Sequence, residues 1–304
     1  MVAYFAYLIV KGFGFLINLL PEGFALWVGR QLGNIAYYVD WEHRHVSLQN
    51  LGIAFRKEKS EPERQAIAKR SFQNMGMMAI EFFRIPGMDM EDYKRKVRVE
   101  GLEEALKLLE RKKGGLLLIG HFGNWELMGF MSKVIGNPIL VIAKPIKDPR
   151  IDRWVTGIRK AAGLEFMPPR GATRKVIQAL SQNRVVGILI DQRAKRSRGV
   201  WVDFFGKKAP TAPGLAALAI KSGAPVVPVF MIRNGFKRHL LLVKEPMKLV
   251  QTGDMKKDVE TNTQLFTHAL ESMIRQYPDQ WFWIHRRWER KRKGRRERAF
   301  SASR

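Results

Sequence analysis

The chain contains no cysteine, which excludes disulfides, thiolate metal sites and a cysteine nucleophile. Acidic residues are scarce: 28 Asp and Glu stand against 54 Lys and Arg among 304 residues, a formal net charge of +26. Such an excess predicts attraction to a polyanion (nucleic acid, an anionic membrane, or an acidic carrier or substrate) and says nothing about fold. No helix-turn-helix, zinc-finger or RNA-platform signature accompanies the charge, so nucleic acid is not the expected partner. No set of residues has metal-ligand spacing, and no serine sits in a nucleophile elbow. No basic residue precedes the apolar N-terminal run and no small-x-small cleavage site follows it, so a secretory signal peptide fits poorly. There is no internal repeat and no low-complexity linker. Compositional bias is confined to a basic tail, 291–304.

The N-terminus, in contrast, is rich in apolar residues. Residues 2–20 are interrupted only by Lys11 and Asn18, seven apart and thus on one helical stripe. This run is just long enough to span a bilayer with a polar seam, or to lie embedded in one. Near the other end, Trp281-Phe282-Trp283-Ile284-His285-Arg286-Arg287-Trp288 sets aromatic residues beside dense basic charge. That mixture suits an interface with anionic headgroups, or a buried strand with Trp281 to Ile284 in the core. His285 reads as structural. The expected organisation is a membrane-associated helix (1–21), a single α/β domain with a helical N-terminal part (22–290) and the tail.

Residues 22–86 read as helical. Ser60 and Glu63 have capping-box spacing, and Ile67, Phe72, Met75, Met78, Ala79, Phe82 and Phe83 keep a helical period. From about residue 95 short apolar runs alternate with amphipathic helices. The runs are 97–99, 116–119, 139–143, 185–190, 226–232 and 240–243. Helices are expected at 102–112, from about 124, and at 150–162, 173–183, 211–222 and 256–276. The alternation predicts an α/β fold with a central, mostly parallel sheet flanked by helices, and continuous apolar runs are the mark of buried parallel strands.

Polar residues follow several of these runs: His121 after 116–119, Lys144 after 139–143, Asp191-Gln192-Arg193 after 185–190, and Arg233 after 226–232. If the strands are parallel, all four segments meet at the carboxyl edge of the sheet, where open α/β sheets bind ligands.

The segment His121-Phe122-Gly123-Asn124-Trp125-Glu126 names the chemistry most directly. Five residues of helix turn a side chain through about 500°, so His121 and Glu126 diverge on one regular helix. They meet if His121 lies in a strand-to-helix turn and Glu126 in the first helical turn. Gly120 and Gly123 permit such a turn and Asn124 is a competent N-cap. A carboxylate on one imidazole nitrogen leaves the other as a base for a hydroxyl group. Arg170 and Arg174, around the start of a helix, are candidates to bind a phosphate, with plain surface charge as the alternative. Residues 193–198, rich in Arg and Lys, read as a docking patch for an acidic carrier or phosphate groups. Trp201, Phe204 and Phe205 are candidates to line or close a hydrophobic ligand site, with core packing as the alternative.

Taken in order, these segments resemble the bacterial lipid A biosynthesis acyltransferases of the late, lauroyl/myristoyl type, a branch of the H-x4-D/E membrane acyltransferases. The resemblance runs over nearly the whole chain. It takes in the apolar N-terminus, His45-Val46-Ser47-Leu48-Gln49-Asn50-Leu51, Met78-Ala79-Ile80-Glu81-Phe82-Phe83 and His121 to Glu126. It continues through Asp191-Gln192, Phe204-Phe205-Gly206 with Thr211, Ser222-Gly223-Ala224-Pro225-Val226-Val227-Pro228-Val229, and Trp283-Ile284-His285-Arg286-Arg287. The resemblance implies acyl transfer from a thioester, acyl carrier protein or acyl-CoA, to a hydroxyl of a phosphorylated glucosamine lipid. It implies His121 as general base oriented by Glu126, and substrate contacts from Asn124, Lys144, Arg170, Asp191, Gln192, Arg193, Phe205 and Gly206. It further implies no metal or other cofactor, and a place at the bacterial inner membrane with the catalytic domain on the cytoplasmic face. Another glycolipid or a lysophospholipid is the alternative acceptor. Two positions depart from the pattern. Lys144 stands where many relatives have arginine, which keeps the charge and loses the bidentate fork. Arg193 stands where relatives often carry an acid.

Overall fold

The computed structural model describes residues 2–288. Four helices come first: α1 (Val2–Leu19), α2 (Glu22–Val39), α3 (Trp41–Phe55) and α4 (Glu61–Arg84). Local chemistry sets their ends. The Asp40 carboxylate accepts the His43 N–H at 3.2 Å where α3 begins, and the Ser60 N–H donates to Glu63 Oε2 at 2.7 Å where α4 begins. The α2–α4 contact is glycine-mediated. A Cβ on Gly33 would lie 2.3 Å from the Phe72 carbonyl oxygen, so any side chain there pushes the two helices apart.

The alternating part follows as α5 (Met90–Lys96), β1 (Val97–Glu100), α6 (Leu102–Leu109), β2 (Gly115–Ile119), α7 (Met131–Val134), β3 (Ile139–Ile142), α8 (Pro149–Ala161) and β4 (Leu164–Met167). Next come α9 (Ala172–Ser181), β5 (Val185–Leu189), β6 (Val200–Phe204), β7 (Lys207–Thr211), α10 (Gly214–Ser222), β8 (Val226–Arg233), β9 (His239–Val243) and α11 (Met255–Gln276). The main sheet has seven strands in the order β1-β9-β8-β2-β5-β3-β4. From β8 to β4 neighbouring strands pair in parallel. β9 runs against β8 and takes β1 parallel to itself. The sheet is therefore mostly parallel, and His121, Lys144, Asp191 and Arg233 all leave its carboxyl edge.

Period-two alternation divides the core between the two faces of the sheet. Leu116, Leu118, Leu140 and Val186 pack in one cluster with Val176, Phe266 and Leu270 from the helices. Leu117, Ile119, Ile139 and Val185 pack in the other with Phe130, Met131 and Ile158.

Four elements depart from the expectations. The short edge strand β4 and the helix α5 lack a long apolar run. The β6–β7 hairpin carries Asp203, Lys207 and Lys208, so its strands do not read as apolar segments. No α-helix starts at 124. A 3₁₀ turn at Leu127–Phe130 intervenes before the four-residue α7, because residues 123–124 are tied to distant backbone, as described below.

The N-terminal run forms a helix of 18 residues, but no helix among the described residues is long and apolar enough to cross a membrane. The spanning reading is thus not supported. The expected polar seam is also partly used inside the protein. Asn18 Nδ2 donates to the Phe83 carbonyl at 3.1 Å, and Arg84 donates to the Ile17 and Leu20 carbonyls at 2.9 and 3.1 Å. These bonds fasten α1 to the end of α4. The basic tail expected at 291–304 lies outside the described residues.

Candidate active site

β2 ends at Ile119 and the chain turns sharply at residues 120–124. Gly123 has φ +56°, and a Cβ there would sit 1.7 Å from the Met231 carbonyl oxygen, so only glycine fits. The turn is held by partners far away in sequence. Gly123 N–H donates to the Gln280 carbonyl at 2.8 Å, Asn124 N–H to Met231 O at 3.3 Å, and Phe282 N–H to His121 O at 3.1 Å. The late aromatic segment thus clamps the His121 loop.

His121 is oriented by Asp191. Its Nδ1 lies 2.8 Å from Asp191 Oδ1, and its backbone N–H donates to Asp191 Oδ2 at 2.8 Å. Trp281 Nε1 donates to the same Oδ2 at 2.9 Å. Asp191 is buried, which opposes its charge. The neighbouring His121 and these donors outweigh burial and hold its carboxyl down to about 2. A carboxylate on Nδ1 places the ring proton there and leaves Nε2 with its lone pair. Burial disfavours the imidazolium of His121, but the charge and hydrogen bond of Asp191, with help from Glu126, raise its pKa above the usual value.

Glu126 does not make the hydrogen bond to His121 that the spacing invites. Its carboxylate is gripped by Arg159, with Nε at 2.9 Å and Nη2 at 2.6 Å; Trp125 Nε1 donates at 3.2 Å. Because the turn is followed by a 3₁₀ segment, Glu126 points to α8, and the strand end at Asp191 is nearer to the imidazole. Arg159 carries no signal in the sequence beyond its place on an amphipathic helix. Asp191 was legible as a strand-end acid, though its partner was not.

Beside the pair lies a cavity of about 370 Å³. Ile119, Met131, Ile139, Val141, Leu164 and Leu189 line it. At the strand-end side stand His121, Trp125, Glu126, Lys144, Arg159 and Gln192. Gln192 Nε2 is 3.4 Å from His121 Nε2. The cavity is a slot between the sheet and its covering helices, closed by apolar side chains and opened at the imidazole. Filling it with Val141→Phe is expected to lower kcat/KM for the longest accepted acyl donor about tenfold while sparing shorter ones. Competition between donors of graded length checks this.

The other candidate residues separate. Asn124 is fully buried and donates to Glu81 Oε2 at 2.7 Å, so it holds the loop and does not face a substrate. Phe205 is core: it packs on Phe55 and Trp283, and Gly206 makes the adjoining hairpin turn, so neither lines the cavity. Phe204 likewise packs on Trp281 and Trp288. Arg170 and Arg174 are exposed and outside the cavity lining. Arg193 donates its backbone N–H to His285 Nε2 at 3.0 Å, and its side chain is exposed. Arg233 leaves the carboxyl edge but turns into the protein to meet Glu81.

Glu81 anchors the base of the loop. Buried, it accepts from Asn124, from both terminal nitrogens of Arg233 and from His239 Nε2 at 2.9 Å. Burial opposes its charge, and Arg233 and His239 overcome that to bring its carboxyl to about 2. Glu81→Ala strands the Arg233 charge and is expected to cost about 3–5 kcal/mol of stability, read from denaturant unfolding. The Asn-Leu segment has a similar duty: Asn50 Nδ2 donates to the Trp283 and His285 carbonyls, both at 2.7 Å.

Comparison with known proteins bears on the whole chain. The family model described as bacterial lipid A biosynthesis acyltransferase matches residues 1–290. The chain is similar to the lipid A biosynthesis lauroyltransferase of Escherichia coli (strain K12), 27% identical over 92% of this chain and 90% of that protein. It is 26% identical to the lipid A biosynthesis myristoyltransferase of the same organism, over 88% of this chain and 82% of that one. It is also 27% identical to the phosphatidylinositol mannoside acyltransferase of Mycolicibacterium smegmatis, over 68% of this chain and 67% of the relative.

Proposed function

We propose that this chain, which belongs to the bacterial lipid A biosynthesis acyltransferase family, transfers a fatty acyl group from acyl carrier protein to a hydroxyl of a lipid A precursor. The observation that carries the mechanism is the 2.8 Å contact between His121 Nδ1 and Asp191 Oδ1 at the open end of an apolar cavity. The acyl chain lies in the cavity, with its thioester at the polar end. His121 Nε2 removes the proton of the acceptor hydroxyl as the oxygen attacks the thioester carbon. The C–O bond forms, the C–S bond breaks, and the imidazolium returns the proton to the leaving sulfur. Asp191, rather than Glu126, orients the imidazole and stabilises its protonated form. Glu126 holds Arg159 by Nε and Nη2, leaving Nη1 to the oxyanion that develops on the thioester carbonyl. Lys144 and Gln192 stand at the same opening and contact the acceptor.

The chain's charge suits an acidic carrier, and the basic segment 193–198 adjoins Asp191 and so offers it a landing surface. The same reading puts the protein at the cytoplasmic face of the inner membrane, and the exposed apolar side chains of α1 and α2 support a membrane-bound position. Phe5, Ile9, Phe15, Leu16 and Leu19 are 60–70% exposed on α1, and Trp27 and Ile35 are half-exposed or more on α2. An apolar surface of this extent suits a helix lying in the headgroup region. Phe15→Asp with Leu19→Asp is expected to reduce vesicle binding about tenfold, measured by co-sedimentation.

The test of the reaction is acyl transfer from acyl carrier protein to a lipid A precursor by the purified protein, beside mass spectrometry of lipid A from cells lacking it. Loss of one lipid A acyl chain supports the proposal. Intact lipid A with an acyl group missing from another glycolipid favours the alternative acceptor, to which the mannoside-acylating relative points.

A further inference from the structure

A second cavity, about 900 Å³, opens between α1, the end of α4, α5, α8 and the β8–β9 loop. It shares no lining residue with the catalytic cavity; α8 separates them, turning Trp154 and Ile158 to this groove and Arg159 to the other. Six cations line it: Lys11, Arg84, Arg95, Lys96, Lys237 and Arg238. Two carboxylates face them. Glu22 takes Lys96 at 2.6 Å, and Asp92 takes Arg95. Arg84 spends its donors on backbone carbonyls, which leaves its charge unbalanced. Lys11, Lys237 and Arg238 have no ion pair among the described residues, and Lys11 sits 5.8 Å over the Tyr7 ring.

The wall that carries Lys11 and Arg84 is also apolar and aromatic. Phe83 stacks on Trp154 with centroids 5.6 Å apart, and Phe15 rises from α1 with 66% of its surface exposed. That wall continues into the exposed side of α1 at Leu16 and Leu19. A groove that sets cations beside an apolar wall fits an amphiphile with an anionic head. We propose that this groove is a binding site for the phosphate headgroup of a membrane phospholipid, with Lys237 and Arg238 on the phosphate and the acyl chains along Phe15 and Leu19.

The proposal rests on the membrane reading of α1 and does not depend on the acyl-transfer reading. A soluble probe separates them. Dihexanoyl phosphatidylglycerol, held below its micelle concentration, is titrated into the full-length protein by calorimetry, with inorganic phosphate in parallel. Saturable binding of the lipid is expected, weakened about tenfold or more in Lys237→Glu/Arg238→Glu. The same charge change in Lys256→Glu/Lys257→Glu, at the start of α11, is expected to leave it within about twofold. No saturable lipid binding, or equal losses in both double variants, overturns the site. Inorganic phosphate binding as tightly as the lipid overturns the lipid part of the proposal, because the apolar wall would then contribute nothing. Vesicle binding that persists while the soluble lipid fails leaves the membrane reading standing without this site.

Discussion

His121→Ala is expected to lower the single-turnover rate of acyl transfer about a thousandfold and to leave the fold intact. The two halves of this expectation have separate grounds. The imidazole is the group whose free nitrogen faces the cavity opening, and no other side chain there combines an accessible lone pair with an ionised partner behind it. The loop itself is held by the backbone of Gly123, Asn124 and Phe282, none of which needs the ring. Asp191 also keeps the His121 backbone N–H and Trp281 Nε1 as donors when the ring is gone. Acyl transfer measured beside circular dichroism checks both halves. Undiminished transfer by a folded variant would contradict the general-base role.

Asp191→Asn is the second large effect. The amide fits the same space but loses the charge that stabilises imidazolium and the acceptor that fixes the tautomer. A fall of up to about 10⁴ in kcat/KM is expected, the size of the drop in kcat when the aspartate of a Ser-His-Asp triad becomes asparagine. The pH dependence shifts with it. A base works only when deprotonated, so activity in the native protein rises with pH through a His121 pKa above ~6.5. Burial lowers that pKa and Asp191 raises it. Removing the Asp191 charge lets burial prevail, so the activity limb moves to lower pH even as the plateau drops.

These expectations separate what the chain discloses from what it conceals. The sheet was legible because buried parallel strands such as 116–119 and 226–232 are continuous apolar runs bounded by turns. The convergence of His121, Lys144 and Asp191 followed from that parallel order alone. The identity of the partner to His121 was not legible. Sequence proximity favours Glu126, five residues away, over Asp191, seventy residues away. Parallel pairing of β2 with β5, Ile119 opposite Leu189, cancels that distance, while the local backbone swings Glu126 toward Arg159. Phe205 illustrates the opposite error. The resemblance makes Phe205 a substrate contact, yet it packs on Phe55 and Trp283, from segments that composition does not place together. Glu81 and Asn50 carry family motifs and line neither of the two cavities described above; they brace the loop and the late aromatic segment.

The assignment of Asp191 as the orienting carboxylate is tested most directly by the pH dependence of kcat/KM in Asp191→Asn and Glu126→Gln, measured side by side. The geometry predicts that the low-pH limb moves down further in Asp191→Asn, which removes both a charge and a hydrogen bond from the ring, than in Glu126→Gln, whose main loss falls on the plateau through Arg159. A limb that moves in Glu126→Gln and holds still in Asp191→Asn would contradict it.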